Sequence, residues 1–336
     1  MMRVLVTGSS GFIGGAICAV LVQRCYSVRA FHRASSNLTL LNGLPVEHAI
    51  GDITQPESLQ AAMQGVDIVF HTAALLGNST NGADYAAITT RGTRNVLEAA
   101  LAQGVQRLVH TSTLAALGLP SSPAEMLPPA EAPILSENST WNIRPDLWHY
   151  GYSKYRAELE VQKAVADGLD AVIVNPSFVV GPGDIYRIHT SPIVQLATKN
   201  IPFIPAGGFN LVHIDDVVNG HLAALEYGKR GERYILGGEN LTFQTLFSII
   251  SELSLRPMPK LILPGKLLRS LAILLQPLQA LFSLPVPMEL LRFAGYGFYI
   301  TNQKSIQDLK LKYQYSAKEA LQSGYLWFKE MNAGLH

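Results

Sequence analysis

An α/β fold, a doubly wound parallel sheet with helices on both faces and a smaller C-terminal lobe, is predicted by three features of the sequence. Short apolar runs alternate with helical stretches four times between residues 4 and 111, the pattern of successive βαβ units. The first run, Val4 to Val6, passes through glycines at 8, 11 and 14 straight into an apolar helix, Ala16 to Leu21. A length of 336 residues leaves room for a second unit after the alternation stops near 180.

The segment Gly8-Ser9-Ser10-Gly11-Phe12-Ile13-Gly14 explains why the chain turns where it does. Gly8 permits a tight exit from the strand, Gly11 lets a pyrophosphate approach the backbone, and Gly14 allows helix and strand to pack closely. The free N–H groups at the helix start, with Ser10, Phe12 and Ile13 beside them, then face an anion. The spacing is G-x-x-G-x-x-G, not G-x-G-x-x-G, and a turn that binds nothing is the alternative. In its strand-turn-helix setting the motif predicts a dinucleotide site of the Rossmann kind.

The second strand, Val28 to Arg33, ends beside the expected adenosine ribose. An NAD enzyme usually carries an acid there; this sequence carries His32 and Arg33, followed by Ser35 and Ser36. A cation with hydroxyls suits a 2′-phosphate, so NADP is favoured over NAD, a solvated surface arginine being the other reading of Arg33. A strand over 46–50 leads to Gly51-Asp52-Ile53, where Asp52 is placed for an adenine amino group or is simply a loop carboxylate. Pro56 to Met63 reads as a helix with proline at its start. The strand Asp67 to His71 ends in Thr72-Ala73-Ala74, small residues that let cofactor and backbone approach. His71 has no companions at metal-ligand spacing and reads as structural, so no metal is expected.

Residues 75–84 form a loop before a helix at 88–103, which Gly104 stops. The strand from Arg107 runs into Thr111-Ser112-Thr113. Residues 118–147 have prolines at 120, 123, 128, 129, 133 and 145 and no period; a loop of this length reads as a substrate lid in preference to a passive insertion. A helix runs from Tyr150 to about Ala166, then a strand from Asp170 to Asn175. The predicted division is a Rossmann domain over 1–180, with returning segments near 210–238, and a substrate lobe mainly over 181–336. A helix begins within Val212 to Val217 with an aspartate near its cap, and Tyr234 to Gly238 is a last strand.

Composition narrows the partners. Lys+Arg 26 against Asp+Glu 25 gives a net charge of +1, which excludes a global field for nucleic acid and points to a small-molecule substrate. Cys18 and Cys25 read as small core residues in or just after the first helix, and a reducing cytoplasm is the default. The N-terminus lacks a secretory pattern and no run of 18 apolar residues occurs, so neither export nor a transmembrane span is expected. The uncharged stretch 270–288, broken by Pro277, Pro285 and Pro287, reads as core or cleft wall. Peripheral membrane contact through 265–290 is the minor alternative.

Tyr150 and Lys154 lie four apart and share a helix face. A tyrosine with an ordinary pKa of about 10 needs a neighbouring cation to shuttle protons near neutrality, and Lys154 is the expected one. Thr113, at the carboxyl end of a parallel strand, can hold a substrate oxygen. Thr113, Tyr150 and Lys154 are therefore the predicted catalytic set; Tyr152 faces elsewhere.

With these residues in view the sequence resembles an extended short-chain dehydrogenase/reductase, the NAD(P)-dependent epimerase/dehydratase family. TGSSGFIG at 7–14, GDI at 51–53, FHTAA at 70–74, GTRNVL at 92–97, TST at 111–113, YGYSK at 150–154, NPSFVVGPGD at 175–184 and VHIDDVV at 212–218 carry the resemblance. It implies that Thr113, Tyr150 and Lys154 are the catalytic residues. It also implies that Pro176, Ser177 and Val179 belong to the segment beside the nicotinamide, and that the chain forms a homodimer through the helices at 88–103 and 150–166. VRAFHR at 28–33 and NLVHIDDVV at 210–218 are similar to dihydroflavonol-reductase-like, 3β-hydroxysteroid-dehydrogenase-like and hopanoid-associated sugar-epimerase-like members. The implied activity is hydride transfer to or from a carbonyl or secondary alcohol of a small apolar substrate, with sugar-nucleotide epimerase or dehydratase chemistry as the alternative. Thr89 stands where the family often has asparagine.

Overall fold

The apolar runs form strands, alternating β-branched side chains between two cores. The computed structural model describes residues 2–76, 82–188, 191–275 and 291–331. Its strands are β1 (Arg3–Thr7), β2 (Ser27–His32), β3 (Glu47–Ile50), β4 (Ile68–His71), β5 (Arg107–Thr111), β6 (Ile134–Leu135), β7 (Ala171–Pro176), β8 (Phe178–Val180), β9 (Phe203–Pro205), β10 (Gly208–His213), β11 (Arg233–Leu236), β12 (Glu239–Thr242), β13 (Leu261–Leu263) and β14 (Gly297–Ile300). Seven of them make one parallel sheet in the order β11-β7-β5-β4-β1-β2-β3. Strand order reverses between β1 and β4, where Thr7 lies opposite His71. The loops leaving the carboxyl ends of β1, β4, β5 and β7 therefore converge on one crevice, the place where ligands bind in such sheets.

On one face Val4 and Val6 pack with Ile17, Cys18 and Leu21 of the first helix and with Val217, Val218 and Leu222 of the helix Ile214–Tyr227. On the other face Leu5 packs with Leu59 and Met63, Val96 and Leu97, and Val161, from the helices Pro56–Met63, Gly92–Ala102 and His149–Ala166. A second sheet joins β12, β10, β14 and β6, with β8 also on β10. Beside it Ile193, Val194, Leu246, Ile250, Leu321 and Phe328 form a separate core. β11 returns from residue 233 to the edge of the main sheet, pairing Tyr234 with Val174.

Several local expectations change. Cys18 is buried but Cys25 is exposed, at φ 60° just past the first helix, because the chain must turn there before β2 begins. The helix expected at 88 starts at Gly82 and widens into a π turn over Ala86–Arg91 before Gly92. The helix Ile214–Tyr227 has Asp215 and Asp216 in its first turn, as expected, while the cap itself is His213, its Nδ1 accepting from the Asp215 N–H at 3.2 Å. The proline-rich stretch is built into the body. Glu125 accepts from the Gly265 N–H at 2.7 Å, Glu137 from the Ile235 N–H at 3.0 Å, and β6 pairs with β14. Of the uncharged stretch, residues 276–290 lie outside the described residues, as do 77–81 of the expected loop. Among the described residues no helix is long and apolar enough to cross a membrane.

The first helix sits hard against the end of β1. A methyl group added at Gly14 would lie 2.2 Å from the Gly8 carbonyl oxygen and 2.7 Å from Thr72 Oγ1. Gly14→Ala is therefore expected to cost about 2 kcal/mol of stability, seen as a fall of several degrees in the thermal midpoint. An unchanged midpoint would show that helix and strand separate without penalty.

Candidate active site

The glycine turn forms a cradle. Gly8 takes φ 69°, its carbonyl accepts from the Gly11 N–H at 2.9 Å, and Gly11 caps a helix that starts at Phe12. The first-turn N–H groups of Phe12, Ile13 and Gly14 precede any possible i→i−4 partner within that helix and are directed outward at its N-terminus. A Cβ at Gly11 would meet only the Gly8 oxygen at 3.2 Å, whereas at Gly8 it would strike Ala73 N at 2.7 Å. Gly8 and Gly14 thus close the floor while Gly11 leaves the backbone approachable, and Ser10 lies buried beside them. These residues fit a dinucleotide pyrophosphate. Among the described residues no group of His, Cys, Asp and Glu could hold a metal ion.

At the end of β2 the two expected ribose-side residues part company. His32 is buried and both its ring nitrogens are engaged, Nδ1 with the Arg33 carbonyl and Nε2 with His48 Nδ1, each at 3.0 Å. Arg33 is exposed, and its guanidinium has no ion pair among the described residues. Asp52 folds into an Asx turn, with Oδ1 accepting from the N–H and hydroxyl of Thr54 at 2.8 Å each. Ile53 is buried and its carbonyl accepts from Asn95 at 2.9 Å. Thr72 Oγ1 donates to the Thr7 carbonyl at 2.7 Å, and Ala73 and Ala74 are half-buried next to it. Pro176 ends β7, the buried Ser177 hydroxyl has no hydrogen-bond partner among the described residues, and Val179 pairs with Val212.

The catalytic set converges in part. Thr113 leaves β5 in an extended conformation and caps a short turn, its Oγ1 accepting from the Ala115 N–H at 3.3 Å, and its side chain lies near enough to Tyr150 to favour the ionised phenol. Lys154, one turn along the same helix, is buried and its Nζ donates to the Thr111 carbonyl at 2.8 Å. The electrostatics differ from the sequence expectation. Burial pushes the Tyr150 phenol up, opposed by the Thr113 side chain and by the positive charge of Arg187. Arg187, from the short turn after β8, adds a positive charge that favours the ionised phenol. Burial drives Lys154 down to about 8, with Glu158 partly restoring it.

Beneath these residues lies a network the sequence reading missed. Glu158 is buried, accepts from Ser112 Oγ at 2.5 Å and Asn175 Nδ2 at 2.7 Å, and pairs with Arg233 at 2.6 Å. The i, i+4 ladder Tyr150, Lys154, Glu158 was its one local signal; Asn175 and Arg233 gave none. Asn175 also donates to the Thr113 carbonyl at 2.9 Å, which sets the strand end against the helix. Nearby, His71 bonds Thr7 at 2.7 Å and Thr93 at 2.9 Å, and burial takes it down to about 3, so it is neutral and structural. Thr89 is buried and its hydroxyl accepts from the Leu75 N–H at 3.2 Å. Tyr152 does face elsewhere, against Trp141 at 5.6 Å between ring centroids.

Lys154 supplies a test with a defined sign. Its pKa of about 8 in the fold lies below the 10.5 of a free lysine, so the unfolded chain binds more protons between those values and stability rises with pH across that window. The burial penalty is therefore complete below pH 8. Lys154→Met is expected to abolish turnover yet stabilise the protein at pH 7 by on the order of 3 kcal/mol, the gain fading above pH 10. Urea unfolding at the two pH values measures this, and a variant less stable at pH 7 would contradict the assignment.

Comparison with known proteins bears on all of this. The model of the NAD dependent epimerase/dehydratase family matches residues 4–237. A putative dihydroflavonol 4-reductase of Synechocystis sp. is 34% identical over 96% of this chain and 94% of its own length. Sterol demethylase protein B of Methylococcus capsulatus is 31% identical over 98% and 99% respectively. The crystal structure of gox2253 superposes with a TM-score of 0.84 at 33% identity, covering 99% of each chain. A family match across most of the sequence, relatives aligned from end to end, and a glycine cradle beside a Thr-Tyr-Lys set agree: the chain belongs to the NAD dependent epimerase/dehydratase family, the extended short-chain dehydrogenase/reductases.

Proposed function

We propose that the protein is an NADP-dependent oxidoreductase that interconverts a carbonyl and a secondary alcohol on a small apolar molecule. The observation that carries this reading is that Thr113, Tyr150 and Lys154 gather at the strand-end crevice where the glycine turn ends β1, Lys154 being bonded to the Thr111 carbonyl two residues before Thr113. Bound there, the nicotinamide supplies or accepts a hydride. The chain's own residues do the rest. The N–H groups after Gly11 hold the pyrophosphate, and exposed Arg33 pairs with a 2′-phosphate through charge-assisted hydrogen bonds. Thr113 positions the substrate oxygen. Tyr150 gives that oxygen its proton during reduction and takes it back during oxidation, and Arg187 favours the ionised phenol. Lys154 keeps a positive charge under the crevice while fixed to the Thr111 carbonyl.

An apolar substrate is supported by the names of the two full-length relatives, a dihydroflavonol reductase and a sterol demethylase protein. The aromatic cluster entering the helix supports it too, Trp148 lying 5.0 Å from Phe293 and 5.9 Å from Phe298 between ring centroids. In this reading residues 181–336 mainly supply the substrate walls, outside the returning segments near 210–238. The protein works in the cytoplasm as a homodimer through the helices at 88–103 and 150–166, a state that light scattering in solution checks.

Two variants test the proposal separately. Tyr150→Phe is expected to lower turnover of a screened carbonyl substrate by 10²-fold or more while leaving cofactor affinity intact. Full turnover in that variant would end the catalytic assignment. Arg33→Asp is expected to weaken NADP at least tenfold in calorimetric titration and to leave NAD unaffected or improved. Tightly retained NAD with no net NADP(H) consumption would instead indicate the epimerase or dehydratase reading.

A further inference from the structure

The helix Gly265–Leu275 has two apolar faces, and among the described residues only one of them is packed against the protein. Leu268 and Ala272, four apart, are 3% and 1% exposed and dock it onto the protein. Leu267, Leu271 and Leu274 follow the neighbouring i, i+4, i+7 stripe at 47%, 38% and 72% exposure, and Ile273 is 69% exposed. Lys266 and Ser270 stand on the same outward side, so the open face is leucine-rich with a cation at its start.

The charge around this face is one-sided. Arg256, Lys260, Lys266 and Arg269 fall between residues 253 and 275, and no Asp or Glu does. The whole chain carries only +1, so the remainder is net acidic and positive charge is gathered beside the exposed leucines. Arg269 is spent on Glu125 at 3.2 Å and Arg256 on the Thr198 carbonyl at 2.6 Å; Lys260 and Lys266 are exposed and have no partner among the described residues. A second copy of this face fits poorly, because an isologous contact would set the same lysines against one another. An anionic bilayer satisfies both halves, taking leucines into its interface and pairing lysines with lipid phosphates.

We infer that the helix Gly265–Leu275 is a monotopic docking surface for anionic lipid membranes. The anchorage is rigid. Glu125 holds the Gly265 N–H at 2.7 Å and Arg269 at 3.2 Å, so the helix is fixed to the proline-rich stretch. Arg269 also bonds the Ala294 carbonyl, next to Phe293, which packs on Trp148 two residues before Tyr150. Docking by this helix thus sets the apolar entry side of the catalytic helix near the bilayer, where apolar carbonyl compounds concentrate.

Flotation of the full chain with vesicles of phosphatidylglycerol and phosphatidylcholine, without cofactor or substrate, tests this apart from the proposed activity. Binding to anionic vesicles and weaker binding at high salt or to pure phosphatidylcholine are expected. Leu271→Gln with Leu274→Gln is expected to reduce partitioning at least tenfold. Lys260→Gln and Lys266→Gln are expected to reduce it roughly fivefold each, on anionic vesicles only. All four side chains are exposed, so circular dichroism melts should match the parent and show that folding is intact. Absence of vesicle binding, binding indifferent to both pairs of substitutions, or a leucine pair that changes oligomeric state instead of partitioning would each overturn the inference.

Discussion

The arrangement of the site rests on one buried carboxylate. Glu158 joins four elements at once: Ser112 after β5, its own helix carrying Tyr150 and Lys154, Asn175 of β7 and Arg233 of β11. Taking an ion pair out of water carries a desolvation cost, and it is tolerated only when donors and counter-charge surround the carboxylate, as they do here. Removing one partner would leave the other charge buried without compensation, a far larger penalty than an exposed pair could incur. The helix carrying Tyr150 and Lys154 is therefore held in register with the strand ends by this network.

Above that network two cations of different character stand near Tyr150: Lys154, one turn along the same helix, and Arg187, from outside it. Lys154 is fixed to a carbonyl at the end of β5 and has lost affinity for its proton through burial, while Arg187 adds a positive charge that favours the phenolate. The difference follows from solvation. A buried ammonium loses water on all sides, whereas a half-exposed guanidinium keeps part of its hydration and cannot readily lose its charge. Arg187 arrives from the turn Ile185–Arg187, outside the seven-stranded sheet, so changes in that segment alter the charge near Tyr150 without disturbing the glycine turn.

The proline-rich stretch has the composition of a lid and the bonding of a strut. Glu125 ties it to the helix Gly265–Leu275, Glu137 to β11, and Asn142 to Leu119 at 2.9 Å in both directions. Prolines remove backbone donors and forbid regular structure, so side-chain carboxylates and amides supply the connections that a sheet would have made through its backbone. The same struts join the outward apolar helix to the substrate side of the crevice.

The parts legible in the sequence were those written in short-range code. The Gly8-Gly11-Gly14 turn, the short apolar strands, the proline-started helix at 56–63 and the Tyr150–Lys154 spacing each express a constraint that acts within one turn or one strand. From these the sheet, its strand-end crevice and the neighbourhood of Tyr150 and Lys154 could be read. Tertiary structure alone decided where β11 would join, that Arg187 would add its charge to that of Lys154 near Tyr150, and how His32 would be consumed by His48. It also decided that Cys25 would lie outside the core and that Leu271 and Leu274 would face outward on a helix whose other side is buried. These outcomes depend on pairs separated by tens of residues, and burial and pairing exist only once the chain has closed on itself.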